Sequence, residues 1–174
     1  MPLTFQDEQA RSYTACFTGH RQLDENELPA LVLRLDHVLE KLYMQGYRRF
    51  ICGGALGFDM LAAERVIACK KQHEDVHLVL AIPYAAQSSA WPVADGQRYE
   101  RIFYAADETH VLSRTYYKGC MSVRNRYMVD RSSCVICYLT QTKGGTASTV
   151  TYASREGRTL LNVAMEDACT AFCK

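Results

Sequence analysis

The chain has 174 residues, 48% of them hydrophobic, with 20 Lys and Arg against 19 Asp and Glu for a net charge of +1. That length and apolar content suffice for one core, so a single domain spanning residues 1–174 is expected. A balance so near neutrality argues against a protein that coats nucleic acid or anionic membranes, and for a small ligand or a protein partner.

The opening stretch, MPLTFQDEQARSYTACFTGH, has no basic region leading into an apolar run, and no later segment approaches the roughly 20 apolar residues of a membrane span. A cytoplasmic location with no membrane association is the expectation. Short β-rich runs then alternate with longer helical patterns. Strands are expected at 13–17, 49–52, 76–82, 109–112, 134–139 and 159–163. The first helix carries Leu28, Leu31, Val32, Leu35, Val38, Leu39 and Leu42 on one face and stops at Gly46. Further helices are expected at 58–72, 94–106, 121–132 and 146–156. Parallel neighbours need crossover connections, so this alternation predicts a Rossmann-like α/β three-layer sandwich, with a mainly parallel central sheet flanked by helices.

Of the eight cysteines, Cys16, Cys52, Cys134 and Cys137 fall in apolar strand-like runs, where a thiol behaves as a small hydrophobe. Cys134 and Cys137 lie three apart on a strand and would point to opposite faces, and no second pair has metal-ligand spacing, so no metal is expected.

Ligands of open parallel sheets bind beyond the carboxyl ends of the strands. Three loops there are unusual. Thr18-Gly19-His20-Arg21 combines a tight turn with hydrogen-bond donors. Gly53 and Gly54 follow the second strand and Gly57 introduces the next helix, a spacing that lets backbone amides and a helix dipole converge on an anion. It is neither a Walker A loop nor a full dinucleotide fingerprint. Asp59, in the first turn of that helix, either caps it or accepts from a ribose hydroxyl. Lys143-Gly144-Gly145-Thr146-Ala147-Ser148-Thr149 repeats the glycine device after the fifth strand, with hydroxyls and a lysine added.

Between the glycine loops, Arg124, Asn125 and Arg126 open a helix, with Arg114 and Lys118 upstream. The two arginines are about 200° apart on a helix, so one is expected to bind phosphate and the other to pair, Arg126 with Asp130. Trp91, the only tryptophan, sits in an irregular loop where it either stacks on a base or covers the core edge.

FTGHR, CGGALGFDMLAAE, the loop from Pro83 to Trp91, RNRYMVDRSS and KGGTASTVTYA, in that order over essentially the whole chain, resemble the YpsA-like family of the SLOG superfamily. That superfamily includes the DNA-processing protein DprA and the Lonely Guy phosphoribohydrolases. The resemblance implies a Rossmann-like domain binding a nucleotide or an NAD- or ADP-ribose-like derivative. It is carried by Gly19, His20, Arg21, Gly53, Gly54, Gly57, Asp59, Arg124, Asn125, Arg126, Gly144, Gly145 and Thr146. Alignment with the phosphoribohydrolases puts Arg124 where those enzymes carry a catalytic arginine, yet Ser148-Thr149-Val150-Thr151-Tyr152 stands where they have paired glutamates.

The expected function is therefore a nucleotide-binding sensor domain with two glycine-rich phosphate loops and no required cofactor. An N-glycosidic hydrolase acting on nucleoside monophosphates, with Arg124, Asp59 or Glu64 as catalytic candidates, is the alternative. A DprA-like single-stranded nucleic-acid binder is a further alternative, disfavoured by the neutral charge. Self-association into a homo-oligomer is also expected.

Overall fold

The computed structural model describes residues 3–166. In chain order the elements are α1 (Phe5–Arg11), β1 (Thr14–Gly19), α2 (Leu28–Met44), β2 (Arg49–Cys52), α3 (Phe58–Lys70), β3 (His77–Ile82), α4 (Val93–Ala105), β4 (Glu108–Val111), α5 (Cys120–Asp130), β5 (Cys134–Tyr138), α6 (Gly145–Arg155) and β6 (Thr159–Asn162). The strands form one sheet in the order β4-β3-β2-β1-β5-β6, and every neighbouring pair is parallel. The expected sandwich is what forms.

Side chains of a strand alternate between faces, and here both faces are covered. Ala15 and Phe17, Phe50 and Cys52, Leu78, Leu80 and Ile82, and Cys134, Ile136 and Tyr138 turn to one side, where they meet the apolar stripe of α2, the buried half of α3 and Tyr99 and Ile102 of α4. The intervening Cys16, Ile51, Val79, Ala81 and Val135 turn to the other, against Met128 and Val129 of α5 and Ala153 of α6. The first face carries the bulk, with Phe17 near Phe50 at 6.2 Å between ring centroids and Phe58 edge-on to Phe17. Burial pushes the thiols of Cys16 and Cys137 up to about 12, which keeps them protonated.

Two differences from the sequence reading have physical causes. Strand β1 runs two residues further than expected, because Thr18 and Gly19 pair with Cys137 and Tyr138 of β5. Helix α1 was not expected. Its signal is short but present: Thr4 and Asp7 form a reciprocal capping box, and Asp7 then pairs with Arg131 at the end of α5.

Among the described residues no helix is long and apolar enough to cross a membrane, and no three His, Cys, Asp or Glu side chains gather as a metal site would require.

The assignment of α2's inner face can be tested. Leu35→Ala, fully buried, is expected to lower stability in urea unfolding by about 3 kcal/mol. Leu33→Ala, at a position 70% exposed, should cost less than about 0.5 kcal/mol.

Candidate functional site

Because the chain builds outward from β1 to β4 and then restarts on the other side with β5, the crossovers on the two sides of β1 diverge at its carboxyl end. A crevice opens there. The structure holds a cavity of about 280 Å³ at this point, lined by Thr18, Gly19, His20, Arg21, Ala55, Asp59, Met121, Arg124, Asn125, Gly145 and Thr146. Four loops that are far apart in sequence contribute to one wall.

Two helix N-termini border the cavity. Neither α5 nor α6 has a side-chain cap, and neither carries an acidic residue in its first turn. The first amides of such a helix have no intrahelical acceptor and favour an anion. Gly144 starts α6 at φ 104°, a backbone conformation suited to glycine, and a side chain at Gly145 would meet only open space. The hydroxyls of Ser148 and Thr149 donate back to the carbonyls of Gly144 and Gly145.

The floor is a buried charge pair. Arg124 and Asp59 are each 5% exposed and face each other at 3.6 Å, beyond hydrogen-bond length. Burial therefore outweighs their attraction: it raises the Asp59 carboxyl above its ordinary value and lowers the Arg124 guanidinium. Arg124 is fixed by other contacts. Its Nη1 donates to the Gly53 carbonyl at 2.5 Å, and its Nε donates to Asn125 Oδ1 at 2.8 Å. Asn125 in turn donates to Thr149 Oγ1 at 2.9 Å. Among the described residues no acceptor takes a hydrogen bond from Arg124 Nη2.

The first glycine loop has a different role from the one its sequence suggests. Asp59 Oδ2 accepts from the Ala55 amide at 3.5 Å, and a Gly53 amide contact also lowers its carboxyl. The anion at this hinge is the protein's own carboxylate. A Cβ at Gly53 would overlap Arg124 Nη1 and Asp59 Oδ2, so the glycine makes room for the pair. The Gly53 and Gly54 carbonyls accept from Gln87, and neither residue lines the cavity. Gly57 is also outside it. A Cβ there would overlap the carbonyl oxygens of His20 and Arg21, so Gly57 seats that turn, helped by the Phe58 amide donating to the His20 carbonyl.

Three further sequence candidates sit elsewhere. Trp91 lies edge-on to Tyr99 at 5.4 Å and covers the core margin. Glu64 forms a bidentate pair with Arg98 of α4, away from the cavity. Arg126 lies over the Tyr152 ring and lines a small adjoining recess, and its expected partner Asp130 instead accepts from the Tyr152 hydroxyl at 2.7 Å. Conversely, Ala55 and Met121 line the cavity and Gln87 braces its rear loop, roles no motif announced.

Because the folded state disfavours the Asp59 charge, Asp59→Asn should be no less stable than the unmodified chain in denaturant unfolding at neutral pH, whereas Arg124→Met, which strands the buried carboxylate, should cost about 3 kcal/mol. Asp59→Asn combined with Arg124→Met should be more stable than Arg124→Met alone. The folded state also holds the Asp59 proton more tightly than the unfolded chain does. Stability is therefore expected to fall as pH rises from the ordinary carboxylate value of 3.8 through the raised one, and the Asp59→Asn variant should lack that slope.

Comparison with known proteins gives the fold its relatives and the chain its family. Among solved structures, DNA processing protein A from Helicobacter pylori, described for its single-stranded DNA binding mode, superposes with a TM-score of 0.61 at 19% identity, covering 90% of this chain and 67% of that one. DNA processing protein A from Streptococcus pneumoniae gives 0.61 at 18% identity, over 92% and 55%. At such identities the likeness is one of fold. In sequence, the uncharacterized SPbeta prophage-derived protein YoqJ of Bacillus subtilis (strain 168) is 31% identical over 131 residues, 68% of this chain and 77% of that protein. A UPF0398 protein of Halalkalibacterium halodurans is 31% identical over 109 residues, 62% of this chain and 58% of its own length. Finally, the family model YpsA, described as the YspA SLOG family, matches residues 13–166. The chain belongs to that family.

Proposed function

We propose that the cavity between β1 and β5 binds a nucleotide or nucleotide derivative, with a phosphate at the start of α6 and Arg124 beneath it. The observation that carries this reading is the meeting of two uncapped helix N-termini and one buried guanidinium edge at a single crevice. Amides of Gly145 and Thr146 would take the phosphate oxygens, and Arg124 Nη2 would add charge. Asp59, which lines the same cavity, would accept from a ribose hydroxyl. Asn125 holds the Arg124 plane through Nε. Four charge-assisted hydrogen bonds at roughly 1.5 kcal/mol each, with stacking of a base, correspond to about micromolar affinity.

A second reading, hydrolysis of an N-glycosidic bond in a nucleoside monophosphate, is favoured by one observation: Asp59 and Arg124 line the same cavity. A carboxylate near a developing positive charge on ribose could stabilise it. Free base released from AMP and abolished by Asp59→Asn would establish that activity. The fold shared with DNA processing protein A also makes single-stranded DNA a ligand to test, and phosphate-backbone binding would fall steeply with added salt.

Calorimetry against AMP, ADP-ribose, NAD and cyclic nucleotides tests the main reading. Gly145→Val, which fills space without touching the core, is expected to weaken binding at least about tenfold with unchanged thermal stability. Undiminished affinity in that variant would remove the proposed phosphate position.

A further inference from the structure

One face of α5 takes no part in the crevice. Val123, Arg126, Tyr127 and Asp130 follow one another at spacings of three, one and three, which sets them in a single stripe along the helix, clear of the buried Arg124, Met128 and Val129. The stripe points away from the sheet, with Val123 46% exposed and Arg126 exposed beside it. Together with Leu112, just past the end of β4, these four side chains line a recess of about 190 Å³. The Arg131 guanidinium lies over the Tyr127 ring at 3.8 Å and fixes its place in the wall.

The recess has an apolar centre and two opposite charges at its rim. Arg126 and Asp130 are one turn apart, yet they do not pair with each other. Arg126 lies over the Tyr152 ring at 5.4 Å, and Asp130 accepts from the Tyr152 hydroxyl at 2.7 Å. A stripe with its positive group toward the start of the helix and its negative group toward the end is self-complementary. A second copy turned through a two-fold axis brings acid to base at both places, because in such an interface each residue meets its counterpart's partner. An unrelated helix would need the same order of charges by coincidence, whereas the second copy carries it by construction.

We propose that this face is where two copies of the chain meet: α5 packs antiparallel against α5 of the second copy, with Val123, Tyr127 and Leu112 forming the apolar centre and Arg126 of each copy pairing with Asp130 of the other. Such a patch, apolar within and charged at the rim, has the anatomy of a specific interface. The inference does not depend on the nucleotide reading. Met121, Arg124 and Asn125, which line the crevice, lie on the opposite side of the same helix.

Sedimentation velocity on the full chain, from roughly 1 to 100 µM, is the test, and a concentration-dependent dimer is expected. Val123→Glu, at an exposed position, should raise the dissociation constant at least about thirtyfold with unchanged thermal stability. Arg126→Asp alone sets acid against acid across the axis, and Asp130→Arg alone sets base against base, so each variant by itself should stay monomeric. An equimolar mixture of the two regains both ion pairs and should dimerise. Thermal melting of each variant establishes beforehand that it is folded. A chain that is monomeric throughout the concentration range would overturn the proposal, as would a dimer indifferent to Val123→Glu, or folded charge variants that remain apart when mixed. Nucleotide binding is read separately, by calorimetry, and is not altered by any of these outcomes.

Discussion

The site is organised around one side chain, the guanidinium of Arg124, laid across the Gly53 carbonyl and beside the Asp59 carboxylate with almost no solvent. A charge in that position is costly to bury, and each neighbour answers part of the cost. Gly53 supplies the room and an acceptor, Asp59 the opposite charge, and Asn125 an acceptor for Nε. Asn125 is itself tied to Thr149, so the arrangement joins the end of β2 with the first turns of α3 and α5 and with α6. What it leaves over is one guanidinium edge beside a cavity. Buried polar networks of this kind are rigid when their members are satisfied, and rigidity is what a site for a small anion requires.

Much of the framework could be read from the residues. The alternation of apolar runs fixed strand and helix identities, and the period-two split of each strand between faces follows from Val, Ile, Leu and Phe falling at both odd and even positions. Gly145 and Thr146 stand at the cavity, with Gly144 just outside its lining, because a glycine pair before a helix without acidic residues in its first turn has few other uses. The first glycine pair was harder to interpret. Glycine is required equally where a ligand approaches and where a neighbouring side chain does, and sequence does not distinguish Arg124 lying on Gly53 from a phosphate lying there. Asp59 decided the matter by taking the hinge amides itself.

Other misreadings have a similar origin in distance along the chain. Glu64 follows Asp59 by five positions, about 140° around the helix, so a cavity that receives one turns away from the other. Arg126 lost its expected partner because Tyr152, on the next helix, reaches Asp130 first. Trp91 and Gln87 share a loop, yet Gln87 points inward to the Gly53–Gly54 carbonyls while Trp91 lies against Tyr99, a division that no local pattern encodes. The capping box at Thr4 and Asp7 was legible and marks a helix too short for hydrophobic periodicity to reveal.

The strand order has a consequence for biosynthesis. Strand β1, the first of the described strands, is hydrogen-bonded on both sides, and its partner β5 is encoded about 120 residues later, Ala15 lying opposite Cys134. At ribosomal speeds of roughly 5–20 residues per second, the nascent chain carries one bare margin of β1 for on the order of ten seconds before that partner emerges. Such a margin is a template for wrong pairing, and the long loop that must close makes this late docking step slow. The same delay means that the crevice between β1 and β5 does not exist until β5 and the start of α6 have arrived, so its walls are completed late in folding.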